Sequence, residues 1–221
     1  MNKLKRADIK SVIQLFSYIL RQTFRGSFIL LFTACTSHHT VIEGTVPGDQ
    51  YDQEVVYWVP FEGATSKTVD STLIHKNKFR IIISDHNLNR MGIIRLRYQL
   101  RLSLQELLVY TEAGRTVQVK IDSISSASGA PLNDVLQIWK DRKQKHNEEF
   151  SALRKKHRDA GDDEKTAIQE EMETVSAAYN DDVYRIVVEN KDNEVGKFIF
   201  LLHKAKFTPE QISEIDNHSM D

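Results

Sequence analysis

From Thr40 to about Ser126 apolar and polar residues alternate with a period of two, in short runs broken by turn residues. The runs are Val41-Ile42-Glu43-Gly44-Thr45-Val46, Val55-Val56-Tyr57-Trp58-Val59, Lys67 to Ile74, Phe79 to Ile83, Ile93 to Leu104, Leu107 to Thr111 and Thr116 to Ile121. β-branched and aromatic residues dominate them, and Gly44, Pro47-Gly48, Pro60, Gly63 and Gly114 punctuate them. Short strands with closely spaced turns predict an antiparallel β-sandwich or partly open barrel over residues 41–127. Asn77, within His75-Lys76-Asn77-Lys78, tolerates the left-handed backbone that a tight hairpin needs. Glu112-Ala113-Gly114-Arg115 predicts a second hairpin, with Gly114 at the positive-φ position.

After Ala130-Pro131 the period lengthens. Leu132, Leu136, Trp139, Lys143, His146, Phe150 and Leu153 recur at steps of four and three, which is one face of a helix with a wet middle turn. Gly161 breaks the run, with Asp162 or Asp163 placed to cap a second helix whose stripe is Ile168, Met172, Val175, Tyr179, Val183 and Ile186. Two such helices predict an antiparallel hairpin with arms of about 40 Å, at 1.5 Å per residue. Asn193 is set to cap a helix through Phe198 to Leu202, and Thr208-Pro209-Glu210-Gln211 reads as a capping box with proline at the first helical position. Strands followed by a hairpin and two short helices define an α+β chain, with the helical part at residues 128–221.

The N-terminal region follows neither period. Lys3, Lys5, Arg6, Lys10, Arg21 and Arg25 face one acid, Asp8, ahead of the apolar run Ser27 to Ala34 and the chain's one cysteine, Cys35. A basic segment, a brief apolar core and small residues form the pattern of a secretory signal over residues 1–34. A membrane-spanning helix from Val12 to Ala34 would instead carry Arg21 and Arg25 near its middle, at about 2.5–3.5 kcal/mol each. Phe32-Thr33-Ala34-Cys35 resembles a bacterial lipobox, with Phe32 where an aliphatic residue is usual. That resemblance implies cleavage before Cys35, lipid attachment on its sulfur, and a tether over residues 35–40. Acyl chains at about 0.8 kcal/mol per buried methylene would hold such a protein on a bilayer. The absence of an acidic run after Cys35 points to a periplasm-facing rather than a surface-displayed envelope protein.

Composition narrows the class further. Apolar residues make up 40% and charged residues 28%, enough for a buried core. Loss of residues 1–34 removes six of 30 Lys/Arg and one of 31 Asp/Glu, leaving 24 against 30 and a net charge of −6. An acidic body argues against nucleic acid as partner. One cysteine also rules out an internal disulfide and dithiol chemistry.

Candidate chemistry is sparse. In Ile94-Arg95-Leu96-Arg97-Tyr98-Gln99-Leu100-Arg101 strict alternation would put Arg95, Arg97 and Arg101 on one strand face, a candidate anion-binding surface. The plainer reading, a solvated face or one paired with acids on a neighbouring strand, is preferred. His38-His39 reads as solvated tether, with no metal set to complete. His146 and His157 lie on or near the apolar stripe of the first long helix, as interface groups. Alternating acids and bases from Lys140 to Glu173 read as a wet helix surface. Tyr57, Trp58 and Phe61 suggest a stacking patch, but alternation puts Tyr57 and Trp58 on opposite faces. No catalytic motif and no cofactor signature stands out.

Several of these runs resemble a known family. Val41-Ile42-Glu43-Gly44-Thr45-Val46, Val55 to Pro60, Val69-Asp70-Ser71-Thr72 and Lys78-Phe79-Arg80 are similar to the N-terminal domain of unknown function of envelope lipoprotein thiol-disulfide oxidoreductases from Gram-negative anaerobes. Leu107 to Gly114 and Gly129 to Asp134 resemble the continuation of those proteins, where a helical hairpin follows. Their usual thioredoxin-like domain carries a Cys-x-x-Cys pair, which this chain lacks, and Asn77 stands where they often have glycine. The resemblance implies a lipoprotein built from the non-catalytic half of the family. The expected function is a non-enzymatic binding module of the envelope, working on a partner protein or ligand near the membrane. The alternative is an accessory partner of a separate thioredoxin-like oxidoreductase.

Overall fold

The computed structural model describes residues 39–63, 65, 67–97, 100 and 102–217. Eight strands among them form two four-stranded sheets: β1 (Val41–Thr45), β2 (Val55–Pro60), β3 (Asp70–Leu73), β4 (Lys78–Ile82), β5 (Met91–Arg95), β6 (Leu107–Tyr110), β7 (Thr116–Lys120) and β8 (Ser126–Ser128). One sheet has the order β4-β1-β7-β8, the other β3-β2-β5-β6. Every pair is antiparallel except β1 with β7, which run parallel. Four helices follow: α1 (Pro131–Asp159), α2 (Asp162–Asn190), α3 (Glu194–His203) and α4 (Pro209–Asn217). The fold is α+β, with the described strands and helices in one compact unit.

The alternation in the sequence decides what lies between the sheets. Ile42, Phe79, Ile81, Val117 and Val119 from one sheet meet Val56, Trp58, Ile94, Leu107 and Val109 from the other. Each sheet has a glycine beneath an aromatic ring. A Cβ on Gly44 would stand 2.0 Å from the Phe79 ring, its partner across the β1–β4 ladder, and one on Gly92 would stand 2.2 Å from the Trp58 ring. Strand glycines here mark close approach, and the rings occupy the missing side-chain volume.

Both expected tight turns form, but neither closes a hairpin within one sheet. Lys76 (φ 49°) and Asn77 (φ 63°) turn the chain while His75 and Lys78 exchange N–H···O bonds of 2.8 and 3.1 Å. β3 and β4 then part into different sheets. Gly114 (φ 74°) likewise turns the chain from β6 in one sheet to β7 in the other. Two further strand expectations change. β3 is limited to Asp70–Leu73, and β5 ends at Arg95 rather than running to Leu104. Past Arg95 a helical turn takes over, with Leu100 N–H to Arg97 O at 2.9 Å and Leu104 N–H to Leu100 O at 3.0 Å. It packs Leu96, Leu100 and Leu104 against the sandwich core.

The helices follow their apolar stripes. Leu136, Trp139, Val183, Ile186 and Val187 bury against Val195, Ile199, Phe207 and Ile215 in a second core, joined by Tyr110, Leu108 and Met91 from the sheet. β6 is therefore apolar on both faces: Leu107 and Val109 point into the sandwich, Leu108 and Tyr110 to the helices. Gly161, not Asp162 or Asp163, occupies the N-cap of α2; the acids sit in the first turn, where they suit the helix dipole. Asn193 caps α3 by accepting from Gly196 N–H at 2.9 Å. Thr208 and Gln211 exchange side-chain and backbone bonds of 3.0 and 3.3 Å, completing the expected capping box at α4.

Gly92→Ala is expected to lower stability by about 1–3 kcal/mol, because the fully buried Trp58 ring cannot yield. Gly161→Ser should raise it by a few tenths of a kcal/mol through a new N-cap bond. Urea unfolding monitored by circular dichroism reads both signs.

Candidate binding site

The outward face of the first sheet is concave and polar. β1 contributes Glu43 and Thr45, β4 Lys78 and Arg80, β7 Gln118 and Lys120, and β8 Ser126 and Ser128, with Thr72, Leu73 and His75 at one side; together they line a groove of about 790 Å³. Register dictates its electrostatics. Glu43 lies opposite Arg80 on one side and Gln118 on the other, so its carboxylate is held from both: Arg80 Nε is 3.4 Å from Oε1, and Gln118 Nε2 donates to Oε2 at 3.1 Å. One step along, Thr45 stands between Lys78 and Lys120, and Lys120 reaches Asp122 at 3.2 Å. The groove thus has a neutralised centre and a basic end, set on a rigid sheet. It offers hydroxyl, amide and ammonium donors to a polar or anionic ligand.

The other residues singled out from the sequence fall elsewhere. Cys35, Arg101 and His38 lie outside the described residues. Arg95 sits at the end of β5, 3.2 Å from Glu106, and Arg97 beyond it pairs with Glu54. β5 ends at Arg95, so Arg97 lies past the strand, and both have acid partners. His39 contacts Asp85 at 3.2 Å. Trp58 is fully buried, whereas Phe61 is 47% exposed and packs edge-on against Phe198 at 5.2 Å. Among the described residues no cluster of three or more His, Cys, Asp and Glu side chains comes together, and no helix is long and apolar enough to cross a membrane.

His146 is an interface group, as its place on the stripe suggests, stacked between Phe150 at 5.5 Å and Tyr179 at 4.5 Å. His157 is half-buried on α1. A third histidine, not anticipated, completes an aromatic chain across α1, α2 and α3. His203 Nε2 accepts from Trp139 Nε1–H at 3.2 Å and lies 5.8 Å from the Tyr179 ring. Burial, with the nearby Lys143 ammonium, holds the His203 imidazole below its usual pKa. Its neutral form is the one that accepts from Trp139.

Comparison with family models, curated proteins and solved structures returns no match for this chain.

Two predictions follow from this geometry. A Glu43/Arg80 double-mutant cycle should give a coupling of about 0.2–1 kcal/mol, the value of a half-exposed pair. Because the folded pKa of His203 lies below the unfolded value, folding binds fewer protons. Stability from this site is present above about pH 6.5 and lost as pH falls through the folded pKa. Thermal melts of His203→Gln, which keeps an acceptor but cannot titrate, should lose that step.

Proposed function

We propose that this chain is a lipid-anchored binding module of a bacterial cell envelope, tethered through Cys35 and facing the periplasm. It holds its ligand or partner in the groove on the β4-β1-β7-β8 sheet. The observation that carries this reading is the groove's position on the strand that follows the tether. β1 begins at Val41, six residues after Cys35, and sits between β4 and β7 at the groove's floor. An extended six-residue tether spans about 20 Å, so an anchored chain would present the groove close to the bilayer. β1 is hydrogen-bonded on both sides, which suits a strand that takes the pull of an anchor.

The groove has the volume of a ligand site. Resemblance to the non-catalytic domain of envelope oxidoreductases supports the same reading. In this account the module works without turnover of its own.

Radiolabelled palmitate should enter the wild-type protein and be lost in Cys35→Ala, with the variant leaving the membrane fraction. Membrane retention of the unlabelled variant would contradict the anchor. A photo-crosslinker at Gln118 should capture an envelope component in intact cells, and Lys78→Glu with Lys120→Glu should reduce the capture severalfold. Recovery of a Cys-x-x-Cys protein would identify the accessory role. Capture unchanged by the lysine reversals would place binding outside the groove.

A further inference from the structure

α3 is apolar on its outer side as well as its inner one. Val195 and Ile199 pack into the helical core, whereas Leu201 is 72% exposed and Leu202 51%. Helical spacing places both leucines one turn beyond Phe198, whose ring meets the half-exposed Phe61 edge-on at 5.2 Å. Phe61, Phe198, Leu201 and Leu202 therefore make one continuous apolar surface. Single exposed apolar residues are ordinary, and Ile82, Ile124 and Ile138 fall on separate elements. A contiguous group at a protein surface marks a place where something binds.

The charges around it select the kind of partner. Lys197, Leu201 and Lys204 share one outward row along the helix, and Lys206 follows in the turn after it, all exposed. From Lys197 to Lys206 the chain holds three lysines and no acid, although the body as a whole is acidic. The nearest acids are engaged: Glu194 lies 3.0 Å from Lys197, and Glu62, next to Phe61, lies 2.6 Å from Arg90. Leucines bracketed by lysines on a convex helix surface suit the boundary of a bilayer. Lysine stems lie with the leucines among acyl chains there, and the ammonium groups reach the phosphates.

The chain also enters the sandwich at this end. His39 is 3.2 Å from Asp85, Arg90 Nη1 donates to His86 O at 3.5 Å, and Arg90 Nη2 donates to Glu62 at 2.6 Å. These contacts run without a break from the start of β1 to Phe61. Cys35 is four positions before His39, at most about 14 Å of extended chain.

We infer that the surface of Phe61, Phe198, Leu201 and Leu202 docks on an anionic phospholipid bilayer, with Lys204 and Lys206 on its headgroups. This rests in part on the envelope reading above and adds a second, non-covalent membrane contact, which would fix an orientation that a lipid anchor alone leaves open.

The test puts p-benzoylphenylalanine in place of Leu201 in the purified full chain, with Cys35 intact or as Cys35→Ala. The protein is irradiated with excess phosphatidylcholine vesicles that contain or lack phosphatidylglycerol. Ile124, in the turn between β7 and β8 at the opposite end of the sandwich, is the control position. Lipid adducts at position 201 should exceed those at 124 by at least about fivefold on phosphatidylglycerol vesicles, with either residue at position 35. Lys204→Glu with Lys206→Glu should cut them by at least about tenfold, since each lysine at such a surface is worth about fivefold. Leu201, Lys204 and Lys206 are all exposed, so the fold tolerates the changes. Adducts that persist in Cys35→Ala support the docking surface whatever palmitate labelling returns, so failure of the anchor and failure of the surface are read separately. Equal yields at 201 and 124, yields unmoved by the lysine reversals, or adducts to a second protein chain in place of lipid would overturn the inference.

Discussion

The structure depends on how the first turns of α1 close one open edge of each sheet, β6 in one and β8 in the other. Tyr110, on edge strand β6, has backbone groups turned away from β5 and toward the helices. Asn133 meets both, its Oδ1 accepting from Tyr110 N–H at 2.9 Å and its Nδ2 donating to Tyr110 O at 2.7 Å. The amide acts as one residue of a further strand, and it is fully buried. Asp134 and Gln137 do the same work for β8 and its end, accepting from Gly129 N–H at 3.2 Å and Ala127 N–H at 2.9 Å. Three side chains within five residues of α1 thus replace the partners that two edge strands lack. Pro131 fixes where this turn starts, and Leu136 and Trp139 then land against Tyr110 and its neighbours.

This arrangement explains why the two cores form one body. Leu107 and Val109 belong to the sandwich, Leu108 and Tyr110 to the helices, and a buried polar contact sets the register between them. Leaving Tyr110 N–H and C=O unpartnered in that position would cost about 1–3 kcal/mol for each group. The aromatic chain through Trp139 and His203 then fastens α3 to the same helices.

Much of the fold was legible in local patterns. The change of period at Pro131, the break at Gly161, the Asn193 cap and the Thr208 box are signals that act within four residues, and each placed its element. What local signals do not carry is the choice of neighbour. Asn77 and Gly114 specify a reversal of direction, but not whether the next strand joins the same sheet. The alternation around Arg95 continues past the point where the strand ends, because Leu96, Leu100 and Leu104 serve the core equally well from a helical turn. The edge-sealing role of Asn133 and Gln137 was invisible for the same reason: their partners lie ten to 23 residues away in the chain. The groove was half visible, since its polar positions alternate in the sequence. Only the strand order brings Glu43 between Arg80 and Gln118. In the sequence Lys140 belongs to a wet charged surface, and only packing shows that its amine is enclosed.

The edge-sealing claim is tested most directly by unfolding Asn133→Ala in urea with the two tryptophans as separate reporters, using 5-fluorotryptophan and its fluorine NMR signals. Trp58 lies in the sandwich core and Trp139 in the helical core. The account predicts that both signals share one midpoint in the wild-type protein and that both midpoints fall together in the variant. A Trp58 midpoint unmoved by the substitution would contradict it.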